Sequence, residues 1–148
     1  MTELITTFLI TATSIVLFAY WFRYTCMLIL SAKTARDYTS DVAVANQLGF
    51  IEVQSRLQNE ATDMNGLVGA LDRDYAVLQR LLAQTANLGP GSGALERWML
   101  QAHYRVSSVW YRCSRRIAPS TARHALEQMS LVIAHFANTM GEHMASAA

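Results

Sequence analysis

Proline is almost missing from this chain, two residues in 148, and glycine is sparse at seven. Turn-formers are therefore too few to punctuate a series of short strands, and runs of alternating β-branched residues are absent as well. Together these exclude a β-sandwich or barrel and leave an all-α fold. Cysteine is equally scarce. Cys26 and Cys113 lie in unlike contexts, and no Cys-x-x-Cys or Cys/His spacing suggests zinc or a redox dithiol, so both are expected as free thiols. The net charge of +1 gives no overall field to recruit nucleic acid, and nucleic-acid binding is not expected.

Charge is missing altogether from Leu4 to Phe22, a run bracketed by Glu3 and Arg23. A bilayer core about 30 Å thick needs roughly 20 apolar helical residues, and this run supplies them. It closes on Tyr20, Trp21, Arg23 and Tyr24, an aromatic and cationic cluster of the kind that settles at a membrane–water interface. Met1-Thr2-Glu3 has no cation to serve as the start of a secretory signal, so the helix is expected to stay as an anchor. Further cations follow at Lys33 and Arg36. Their bias predicts a single-pass protein of the inner (cytoplasmic) membrane, with its N-terminus outside and its C-terminal part in the cytoplasm. Thr7, Thr11 and Ser14 recur at helical spacing, forming a stripe of small residues that lets another membrane helix approach. The competing reading bonds their hydroxyls back to their own helix.

Residues 1–32 thus read as anchor and juxtamembrane segment, and 33–148 as one cytoplasmic helical bundle with a single core. Two boundaries cut the bundle: the Gly/Pro-rich stretch 87–93, and Ala118-Pro119-Ser120. Between them the apolar positions keep helical steps. The first series is Met64, Leu67, Leu71, Leu78, Leu81 and Thr85, with Asp74 as its one polar member. The second is Leu95, Trp98, Ala102, Val106, Val109, Cys113 and Ile117, and the third is Ala122, Leu126, Met129, Ile133, Phe136, Met140 and Met144. Helices with such stripes, joined by short connections, pack as antiparallel neighbours, and three to four are expected. The fourth is the segment bearing Val42, Ala45, Phe50, Val53 and Leu57. A turn over 58–63 would make it a separate helix; an unbroken heptad phase through Phe50, Leu57, Glu60, Met64 and Leu71 would make one long helix instead.

The helix after Gly93 carries a second stripe, Leu100, Tyr104 and Tyr111, opposite the one assigned to the core. This pattern predicts a face that another subunit covers. Arg112, Arg115 and Arg116 gather at the same helix's end, where they either complement its dipole or dock an acidic protein or anionic headgroups. Buried Asp74 is expected to raise its own pKa or find a partner.

Signatures of chemistry are lacking. Gly-x-Ser-x-Gly, His-Glu-x-x-His, Ser-x-x-Lys and Glu-x-x-His do not occur, and His124 and His135 project away from the apolar stripe as solvated side chains. No catalytic residue, cofactor or metal is expected. The sequence points instead to a non-catalytic accessory or scaffolding subunit of a membrane complex. Its partners would be other subunits, a second copy of itself, and lipid. Two alternatives remain: a membrane-tethered regulatory module with a weak point at Asn65–Gly69, and a haem- or pigment-associated subunit of an electron-transfer complex.

Overall fold

The computed structural model describes residues 1–32, 36–59, 63–85 and 93–147, with side chains at all of these except 85 and 147. Among them are six α-helices and no strand, which bears out the all-α expectation. Lys33, Glu60, the side chain of Thr85 and all of the expected 87–93 connection but Gly93 lie outside the described residues. The chain divides into two compact units, Met1–Lys33 and Thr34–Ala148.

The first unit is α1 (Thr2–Ser31), 30 residues with a mean hydropathy of 1.8 in its most apolar window, long and apolar enough to cross a membrane. It buries only Cys26; Leu4, Phe8, Leu17 and Phe18 all stand exposed. Several of its hydroxyls are satisfied internally. The hydroxyls of Thr7, Thr11 and Ser14 each donate to the carbonyl four residues back at 2.8 Å, as do those of Thr6 and Thr25 at 2.9 Å. Such back-bonding removes the desolvation cost a bare hydroxyl would carry into hydrocarbon. Phe18 stacks on Phe22 and lies beside Trp21.

The second unit holds α2 (Thr39–Ala45), α3 (Phe50–Gln58), α4 (Met64–Thr85), α5 (Ala94–Ser114) and α6 (Pro119–Ala147). Three long helices stand as expected, but the fourth is two short ones. The break follows Ala45, where Leu48 N–H donates to Ala43 O at 2.9 Å and Gln47 N–H to Val44 O at 3.3 Å. That is a Schellman ending, and it requires a left-handed residue, here Gln47 at φ 54°. A glutamine in the place usually taken by glycine hides the stop from a reading of the sequence. α3 in turn ends at Gln58, and α4 begins anew at Met64 and packs against it. The continuous-helix reading therefore gives way.

α6 is the hub. It packs on α2, α3, α4 and α5, and correspondingly buries residues nearly all round: Ala122, Ala125, Leu126, Met129, Val132, Ile133, Phe136, Ala137 and Met140. Met144, expected in this series, is exposed. In α4 the buried stripe runs Leu67, Leu71, Leu78 and Leu82, so Leu81 is only half-buried. The long helices alternate in direction. Contacts between α5 and α6 pair Glu96 with His135 and His103 with Gln128, and those between α4 and α5 pair Gln79 with Gln101 and Asn65 with Tyr111.

α2 is seated on the far part of α6. Asn138 Oδ1 accepts from Tyr38 N–H at 2.8 Å, and Gly141 leaves the space that Tyr38 and Val42 fill. Any side chain at 141 would collide with the Tyr38 Cβ and Cγ atoms. α3, only nine residues long, is held at both ends by charge from other helices. Asp74 of α4 faces the Gly49 and Phe50 amides at its start, and Arg123 of α6 donates to the Leu57 carbonyl near its finish. Both signs match the helix dipole.

Candidate functional site

The structure reverses the two faces of α5. Leu100, Tyr104 and Tyr111, expected to face a partner, are buried at 0%, 3% and 2% exposure, while the stripe expected in the core stands outside: Leu95, Trp98, Val106, Val109 and Ile117 are exposed, as are Trp110 and Cys113. Ala102 is half-buried.

The reason lies on α4, which offers polar partners where α5 needs them. The Tyr104 hydroxyl donates to Asp72 Oδ1 at 2.9 Å, and its ring stacks on Tyr75 with centroids 3.9 Å apart and planes at 2°. Tyr111 donates to Asn65 Oδ1 at 3.2 Å, and Gln101 donates to Gln79 Oε1 at 2.7 Å. A tyrosine with its hydroxyl satisfied buries a large ring and loses nothing at the tip. Burial and the neighbouring Asp72 carboxylate hold the Tyr104 phenol far above its ordinary range, and burial also raises Tyr75 and Tyr111. α4 and α5 are thus bridged by long side chains, without the close backbone approach that the other packed pairs show.

The Arg cluster keeps to the outside. Arg105, Arg112 and Arg116 are exposed, and Arg115 donates to Asn65 Oδ1 at 3.2 Å. At 100° per residue, Arg105 and Arg112 project within about 40° of Trp98. Cations so close to the aliphatic stripe were the signal that this side faces outward. The other candidates on α1 occupy the helix surface: Thr7, Thr11, Ser14, Tyr20, Trp21, Arg23 and Tyr24 are all exposed.

The titratable groups of the bundle join helices to one another. His135, expected to be solvated, has only 16% of its side chain exposed and lies 3.0 Å from Glu96, tying α6 to α5. It is buried because α5 packs along α6 and brings Glu96 up to it, a packing the single-helix projection does not include. His103 meets Gln128 at 3.4 Å, and His124 is exposed beside Glu127. Among the described residues no group of three or more His, Cys, Asp or Glu is placed to hold a metal ion. Asp74 is 3% exposed, and burial raises its pKa against the downward pull of the Gly49 and Phe50 amides and Arg73. Its Oδ2 has no hydrogen-bond partner.

No protein family, curated protein or solved structure matches this chain. What the fold itself defines is a class: an all-helical protein with one apolar helix of membrane-spanning length and a separate helical bundle.

Proposed function

We propose that this chain is a non-catalytic accessory or scaffolding subunit of a membrane assembly, anchored by α1 as a single span and acting through contact. The observation that carries this reading is that each compact unit leaves an extended apolar surface uncovered: nearly the whole of α1, and the outer face of α5. A folded soluble domain rarely exposes such a band unless something else covers it. Meanwhile the groups that could do chemistry hold helices together. Asp72 accepts from Tyr104, Glu96 meets His135, and Asp74 faces the start of α3.

In this reading the bundle lies in the cytoplasm and the N-terminus outside, at the inner membrane, and the cations after the span support that orientation. Within the bilayer, Thr7, Thr11 and Ser14 form the side by which partner spans, or a second copy, approach. Their hydroxyls are already bonded to the preceding turn, so close packing orphans no polar group. The regulatory alternative requires a switch at Asn65–Gly69, and α4 runs unbroken through that segment, which favours a fixed scaffold.

Photo-crosslinking residues placed at Thr7 and Ser14 in native membranes, followed by sizing in mild detergent, test the proposal. A discrete protein adduct in a complex larger than the monomer is expected. A monomer without adducts rejects it.

A further inference from the structure

We infer that the outer face of α5 rests on the anionic surface of the same bilayer that α1 crosses. The inference relies on the reading of α1 as a membrane anchor. Along this face an apolar band, Leu95, Trp98, Val106, Val109 and Trp110, runs the length of the helix and is continued by Ile117 just past its end, with at least 57% of each residue exposed. Beside it stand Arg105, Arg112 and Arg116, all exposed. α5 has one acid to oppose them, Glu96, and that carboxylate is engaged by His135.

A cation-edged apolar helix with tryptophans is the composition that lies in the headgroup boundary. Aliphatic side chains and indole bodies enter the acyl margin, indole N–H groups stay at the polar level, and guanidinium groups meet phosphate. The face commits to lipid on two grounds. A second copy would bring the same cation edge with no spare acid on α5 to meet it. The bilayer, by contrast, is already joined to the bundle: only residues 32–38 separate the end of α1 from the start of α2. A short tether holds a weak surface at an effective concentration of about millimolar or above, so modest lipid affinity is enough to keep the face seated.

The test uses the full chain reconstituted in vesicles whose acyl chains carry bromine, and the three tryptophans, Trp21, Trp98 and Trp110, read it out one at a time after Trp→Phe replacement of the other two. Trp21 is expected to be quenched in phosphatidylcholine alone and in phosphatidylcholine with one-third phosphatidylglycerol. Trp98 and Trp110 are expected to be quenched about twofold or more in the anionic vesicles only, and released by about 0.5 M salt. The variant combining Arg105→Glu, Arg112→Glu and Arg116→Glu should free Trp98 and Trp110 and leave Trp21 quenched. If Trp98 and Trp110 stay unquenched in anionic vesicles while Trp21 is quenched, the face belongs to a protein and the inference is overturned; a Cys113–Cys113 crosslink under those conditions would name that protein as a second copy. Should Trp21 also escape quenching, the anchor itself fails and the inference falls with it.

Discussion

Asp74 shows how one side chain can be both legible and costly. Its place on the apolar seam of α4 marked it as buried, and the structure puts it at 3% exposure with Oδ2 unpartnered. Because burial raises its pKa in the fold, the native state holds a proton more tightly than the unfolded chain does. The cost of the charged form is therefore present above the native pKa, shrinks as pH falls through it, and is gone below the ordinary carboxylate range. Asp74→Asn, which keeps an oxygen for the α3 amides, is expected to raise the Tm by a few degrees at pH 7. Thermal melts from pH 7 to pH 4 should show that advantage shrink on acidification. Tyr104 is the opposite case, a polar tip fully served. Tyr104→Phe is expected to cost about 0.5–1.5 kcal/mol through the lost bond to Asp72, and Tyr104→Ala about 3–5 kcal/mol, both measured by denaturant unfolding.

At the scale of elements, periodicity located the three long helices, but it did not tell which side of α5 faces in. Both of its stripes are apolar, and the more aliphatic one, assigned to the core, stands outside. The choice is made by the neighbour: Asp72, Asn65, Tyr75 and Gln79 on α4 suit tyrosine and glutamine, not valine. A helix read alone has no access to that information. The α2–α3 break was hidden for a different reason, since Gln47 stands in a left-handed position that nothing in its side chain advertises. The contact between α2 and α6 is similarly invisible in sequence, because it rests on a missing side chain. Gly141→Ala would drive a methyl into Tyr38, with Cγ at 2.9 Å, and is expected to cost about 1–3 kcal/mol. Hydrogen exchange should show faster turnover at the Val42 and Asn46 amides of α2 than at the amides of α5.

For the whole molecule, the division into an apolar helix and a bundle was readable, because a long uncharged run and an amphipathic pattern answer to different solvents. The two surfaces should separate experimentally. Val109→Asp on the outer face of α5 is expected to leave the unfolding free energy of the full chain in detergent within about 0.5 kcal/mol of the parent, since Val109 is 61% exposed. The equivalent change on the inner face, Leu100→Asp, should abolish the cooperative melt. In phase separation with a clouding detergent, the full chain and the Val109→Asp variant should both enter the detergent-rich phase, because α1 alone decides that behaviour.

The placement of α6 has a bearing on how the protein is made. Every other helix of the bundle leans on this one, yet it follows all of them in the chain, and the Tyr38 amide must find Asn138 a hundred residues further along. During vectorial synthesis the earlier helices leave the ribosome without the one helix that packs on all of them, and such distant pairings make for slow folding. A nascent chain arrested before Pro119 should therefore remain protease-sensitive and call on chaperones, and maturation should come as a single late event once the final helix has emerged.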